Sequence, residues 1–151
     1  MFLERSTFST VIASAPLVSI DLMVENEQGQ VLLGKRLNKP AQGYWFVPGG
    51  RIQKGETIEQ AFKRLTLNEL GKSYSIKQAE LKGPYTHLYD DNVFGDAFGT
   101  HYVAIAYHLV VSENDLLLPM NEQHDTYQWF EQATLLESSN VHIHTKWYFQ
   151  G

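Results

Sequence analysis

Residues 45–71, WFVPGGRIQKGETIEQAFKRLTLNELG, combine a strand end, a double glycine and a carboxylate-bearing helix in one connected unit. Trp45, Phe46 and Val47 read as a short buried strand that Pro48 ends, and Gly49 and Gly50 let the backbone approach a ligand where a Cβ would intrude. Thr57 then caps a helix whose apolar positions, Ile58, Ala61, Phe62, Leu65 and Leu70, follow helical spacing, and Gly71 suits a left-handed residue past its end. On the last two turns Arg64 pairs with Asn68 and Leu65 with Glu69 at i, i+4. Glu69 and the carbonyls of the glycine turn could hold a hard, oxygen-ligating cation such as Mg²⁺. Taken singly, each feature also fits an ordinary amphipathic helix with solvated charges.

The combination resembles the Nudix box: a glycine, five residues, a glutamate, seven residues, then Arg-Glu-x-x-Glu-Glu-x-Gly. Gly50, Glu56, Arg64, Glu69 and Gly71 fall on its spacing, while Leu65 and Asn68 stand where the family has two further glutamates. The departure resembles one branch of the Nudix hydrolases, the GDP-mannose mannosyl hydrolases, and the likeness spans nearly the whole chain. It is carried by MFL at 1–3 with Phe8, PLVSID at 16–21, LLGKR at 32–36, PAQGYWFVPGGR at 40–51, KRLTLNELG at 63–71, THY at 100–102 and EQHD at 122–125.

Composition bounds the rest. A chain of 151 residues with 43% hydrophobic content forms one domain, 1–151, with a core of its own. Its net charge of -5, with only 12 scattered basic residues, excludes a nucleic-acid groove, so any anion site must be local. With no cysteine, disulfides and thiolate chemistry are excluded, and with no apolar run of membrane-spanning length and no signal pattern at the start, a cytoplasmic protein with no membrane partner is expected.

Along the chain, residues 1–14 read as a docking arm or a short helix. Pro16–Glu25 and Gln30–Lys35 read as a hairpin turning at Asn26–Gly29. Asp21 is a carboxylate in an apolar strand, and a buried carboxylate needs a cation or a hydrogen-bond partner unless it lies on the strand surface. Three of the four arginines, 36, 51 and 64, flank or lie in the central unit, which suits a diphosphate held by forked guanidinium groups. Ala79–Asp90 and His101–Val111 read as strands around the loop DDNVFGDAFGT. LLLP at 116–119 reads as a strand end, followed by a polar loop with Glu122, Gln123, His124 and Asp125 and a strand at Tyr127–Phe130. Glu131–Glu137 and Val141–Phe149 read as helices; His142 with His144 has no metal-ligand spacing of note, and the terminal YFQG echoes a protease-tag remnant of open origin.

The resemblance implies an α+β Nudix fold, a mixed β-sheet between α-helices in an α/β/α sandwich, and a homodimer. It implies one Mg²⁺ per subunit, bound by the Gly49 carbonyl, Glu69 and Gln123, with Glu56 and Arg64 as an internal ion pair. Phe2, Leu3 and Phe8 would meet guanine or ribose, although an arm packed on a partner subunit fits equally. Arg36 and Arg51 would contact phosphates or the leaving group, His87 and Tyr102 would lie near sugar and phosphates, and Asp21, by its place in an apolar strand, would meet a cation or a substrate hydroxyl. The implied reaction is hydrolysis of GDP-mannose, with GDP-glucose not distinguished, to GDP and free sugar by water attack at C1 with inversion. His124 would be the base, since imidazole titrates near neutral pH. A conventional pyrophosphatase and a non-catalytic nucleotide-sugar-binding domain are the alternatives.

Overall fold

The computed structural model describes residues 3–118 and 124–150, with backbone alone at 124 and 125. Helix α1 (Arg5–Ser14) precedes strands β1 (Leu17–Glu25), β2 (Val31–Arg36), β3 (Trp45–Phe46) and β4 (Gly49–Arg51). Helix α2 (Ile58–Leu70), strands β5 (Glu80–Tyr89), β6 (Thr100–Val110) and β7 (His124–Phe130), and short helices α3 (Gln132–Glu137) and α4 (Ile143–Trp147) complete the chain. The sheet runs β3-β2-β1-β6-β5, with β4 beside β1 and β7 beside β2. Among the described strands β1 and β6 pair in parallel and the other pairs are antiparallel, so the sheet is mixed.

Strand β1 alternates between two cores. Ile20, Leu22 and Val24 pack with Phe62, Leu65 and Leu70 of α2 on one face, while Met23 joins Val31, Leu33, Leu135 and Tyr148 on the other. A strand buried on both sides reads as a near-continuous apolar run. That is why Asp21, on the Met23 side of β1, stands out in the sequence. α2 begins with a capping box, Thr57 Oγ1 accepting from the Gln60 amide at 3.1 Å and Gln60 Oε1 from the Thr57 amide at 2.9 Å, and it ends at Gly71 with φ +76°.

Several boundaries differ from the sequence reading. The residues 16–25 and 30–35 form a hairpin only at its base, Glu25 facing Val31; beyond it β1 turns its edge to β4 and β2 takes β7. Residues 116–118 form no strand. This apolar run follows a 3₁₀ turn at Glu113–Asp115 and crosses the end of α2, the Leu117 amide donating to the Leu70 carbonyl at 2.8 Å. His124 and Asp125 belong to β7 rather than to a loop, because pairing with β2 continues as far as Arg36 opposite His124. Within the stretch read as an arm or a short helix, Arg5–Ser14 form helix α1, with Ile12 buried. None of the helices in the described residues is long and apolar enough to cross a membrane.

A Cβ at Gly71 would strike the Leu117 carbonyl, in a backbone conformation that L side chains rarely adopt. Gly71→Ala should therefore destabilise the protein by roughly 1–3 kcal/mol, read as a lower urea midpoint with an unchanged slope.

Candidate active site

A cavity of about 810 Å³ opens where α1, the β4 turn, α2 and the ends of β5 and β6 meet. One wall comes from the box. Gly49 sits opposite Asp21 in the β1–β4 ladder, where a Cβ would strike the Ile20 carbonyl and come within 2.9 Å of Asp21 Oδ1. A Cβ on Gly50 would lie 2.6 Å from Leu65 Cδ2, so Leu65 fills the space beneath the turn. Glu69, 4% exposed, lines the cavity from the last turn of α2, and Asn68 lies beside it.

Arg64 braces this wall. Its Nε donates to Glu56 Oε2 at 2.7 Å, and Nη2 donates to Glu56 Oε1 and to the Arg51 carbonyl, each at 2.9 Å. The guanidinium holds the Glu56 carboxyl below the usual carboxylate range. Glu56 and Arg64 thus tie the loop before α2 to its middle.

All four arginines line the cavity. Among the described residues only Arg64 has a carboxylate within ion-pair distance. Arg51 lies 4.7 Å over the Phe8 ring and Arg5 4.9 Å over Phe94, the two rings meeting edge to face at 5.9 Å. Arg36 donates from Nε to the Pro40 carbonyl at 2.8 Å. Cationic forks that find no carboxylate partner among the described residues, set among aromatic rings, suit an anionic ligand with a planar group.

The far end is built by strand alternation. Asp21 of β1, His87 and Tyr89 of β5 and Tyr102 of β6 share one sheet face, with His87 opposite Tyr102 in the β5–β6 ladder. Ala104 and Ala106, fully buried on that face, leave room for larger rings. Burial pushes Asp21 up to about 6, against the opposing hydrogen bond from Tyr148 and the charge of Arg36. His87 stacks on His144 at 4.3 Å, and burial holds these imidazoles down, His87 and His142 to about 4 and His144 to about 3.

The structure therefore brings together Leu3, Phe8, Asp21, Arg36, Gly49, Gly50, Arg51, Arg64, Glu69, His87 and Tyr102 around one cavity. Glu56 reaches it through Arg64, and Gly71 acts at the helix end, away from it. Phe2 and Gln123 lie outside the described residues, and for His124 the backbone register opposite Arg36 is what is defined. Tyr89 and Tyr148 carry no sequence signal as site residues, and His142 with His144 lacks metal-ligand spacing, yet their rings pack around His87 and Asp21. Tyr148 lies 127 residues from its partner Asp21, and no local spacing signals that contact.

The donor set fits a hard divalent cation. A buried carboxylate, Glu69, faces the same cavity as Gly49, whose backbone no side chain could cover without colliding with β1. Among the described residues no group of three His, Cys, Asp or Glu side chains could hold a metal by itself.

The NUDIX domain family matches residues 15–150. The chain belongs to that family. It is 38% identical over 124 residues to the low-salt glycan biosynthesis protein Agl8 of Haloferax volcanii, an alignment covering 82% of this chain and 76% of that protein. Among solved structures it is similar to a MutT NUDIX hydrolase from Burkholderia pseudomallei, with TM-score 0.71, 23% identity, and 90% and 97% of the two chains covered. The NUDIX domain of Shewanella oneidensis NrtR, solved with ADP ribose, matches with TM-score 0.64 and 18% identity over 97% and 96% of the chains. These structures establish the Nudix fold, a mixed sheet with helices on both faces.

The buried imidazoles make stability acid-sensitive. Their folded values, about 4, 4 and 3, lie below the ordinary 6.5, so the unfolded chain binds more protons between those limits and stability falls as pH drops from 6.5 toward 4. Asp21, raised from 3.8 to about 6, acts in the opposite sense over nearly the same window but is one group against three. The urea midpoint should be lower at pH 5 than at pH 7, and His144→Phe should flatten that difference; equal midpoints in the wild type would contradict the arrangement.

Proposed function

We propose that this Nudix hydrolase cleaves GDP-mannose, and GDP-glucose in the same manner, to GDP and free sugar by water attack at the sugar C1. The observation that carries this reading is the box helix itself: it turns one carboxylate, Glu69, toward the cavity, while Leu65 packs under Gly50 in place of a second. A lone carboxylate supports neutralising a leaving group better than assembling several ions around a water that attacks phosphorus. The name of the Haloferax relative, a glycan biosynthesis protein, adds support for a sugar-bearing substrate.

Glu69, the Gly49 carbonyl and Gln123 would hold Mg²⁺, whose chemistry there is Lewis-acid neutralisation of the departing diphosphate. Arg36 and Arg51 face the same diphosphate as forked donors, and Tyr102 beside them offers a hydroxyl that burial keeps protonated. Phe8, Phe94 and their arginines give the base and ribose an aromatic and cationic bed. Asp21 and His87 occupy the sugar end, where a carboxylate can accept from a hydroxyl and steady positive charge developing at C1. His124, opposite Arg36 on β7, takes the proton from water, and attack opposite the leaving group inverts the anomeric centre.

The alternative is phosphorus attack. It draws on 37% identity over 71 residues to an ADP-ribose pyrophosphatase of Methanocaldococcus jannaschii, covering 47% of this chain and 40% of that protein. Product separation decides between them: GDP with free sugar supports the proposal, and GMP with sugar 1-phosphate overturns it. Glu69→Gln should weaken Mg²⁺ binding in calorimetry and lower turnover by roughly 10²-fold or more. His124→Gln should cost roughly 10²- to 10⁴-fold in kcat with Mg²⁺ affinity near wild type.

A further inference from the structure

Tyr148 follows directly on α4, at the far end of the chain from β1, yet its ring is buried at 8% exposure between the sheet and that helix. Its ring meets Tyr85 edge to face at 4.8 Å. Its hydroxyl reaches two groups of the cavity wall at once: it donates to Asp21 Oδ2, and it lies 3.3 Å from His87 Nε2. A phenol has a single proton. With that proton given to the carboxylate, the oxygen can only accept from His87, so Nε2 carries the hydrogen and Nδ1 is the acceptor nitrogen. The chain of donors runs His87 Nε2–H to Tyr148 Oη–H to Asp21 Oδ2, leaving Asp21 Oδ1 on the Gly49 side, 2.9 Å from where a Cβ on Gly49 would stand.

We propose that Tyr148 is a positioning residue, which fixes the rotamer of Asp21 and the tautomer of His87 so that both present acceptor atoms to the sugar end of the cavity. The catalytic consequence rests on the reading of the site as a sugar-nucleotide hydrolase; the tautomer and rotamer do not. Other donors do not duplicate the role. Among the described residues Asp21 has no second side-chain hydrogen bond, and the imidazoles of His142 and His144 meet His87 or each other by ring contacts. The arrangement is buried, so water is a poor substitute for the lost hydroxyl. It also explains why α4, which contributes no wall of its own at the box, packs across this sheet face: it delivers one oxygen between two strands.

The test is Tyr148→Phe, which keeps the ring and its packing, made alone and in combination with Asp21→Asn. In the resting wild-type protein, long-range ¹H–¹⁵N correlation of the histidine side chains should show His87 protonated at Nε2, and Tyr148→Phe should shift it to a mixture of tautomers while thermal unfolding stays cooperative. With GDP-mannose, kcat should fall roughly 10- to 100-fold, the range for partners that orient a working group through a hydrogen bond. The inhibition constant for GDP should stay unchanged, and the loss should be largely absent when added to Asp21→Asn. A wild-type His87 protonated at Nδ1, or a tautomer pattern that Tyr148→Phe leaves unaltered, overturns the proposal whatever the reaction products are. An unchanged kcat in Tyr148→Phe, or a loss fully additive with Asp21→Asn, overturns it as well. Release of GMP by the wild type refutes the hydrolysis at carbon and is read separately from the tautomer, so the two failures are distinguishable.

Discussion

The close approach of the Gly49–Gly50 backbone to β1 on one side and to Leu65 on the other is the constraint on which the site depends. No side chain fits at either glycine without meeting the Ile20 carbonyl or the Leu65 side chain. Because the turn is bare, its backbone and the buried Glu69 line one cavity. Because Arg64 ties Glu56 to the Arg51 carbonyl, the loop leading into α2 is held in the same place. Every other group of the site is set relative to this junction, since β1 carries Asp21 directly opposite Gly49.

The second organising element is the alternation of strands that are covered on both faces. One face of β1 packs on α2 and becomes ordinary core. The other face, continued by β5 and β6, carries alanines where rings must fit and polar aromatic residues where the cavity begins. Burial there is costly for ionised groups, which is why three imidazoles are held neutral and Asp21 is raised toward neutrality. A folded state that keeps a carboxylate in such surroundings gives up stability at the candidate site.

Much of this was legible in the residues themselves. The Thr57 cap, the apolar stripe of α2 and the left-handed Gly71 are local signals, and local hydrogen bonds decide them. The oddity of Asp21 was legible too, as polarity in an apolar strand. What it meets was not, because Tyr148 arrives from the other end of the chain through tertiary packing. The apolar run at 116–118 reads as a strand end by its hydrophobicity, but tertiary packing lays it across the end of α2, where the Leu117 amide donates to the Leu70 carbonyl. The start of β7 was hidden by polar residues at His124 and Asp125, which backbone pairing with β2 overrides.

The central claim, that a box helix with one carboxylate turned to the cavity serves attack at carbon, is tested most directly by turnover of GDP-mannose in ¹⁸O-labelled water with mass analysis of both products. The account predicts one labelled oxygen on the sugar, at the C1 hydroxyl, and none on the nucleotide. Label on a phosphate of either product would contradict it.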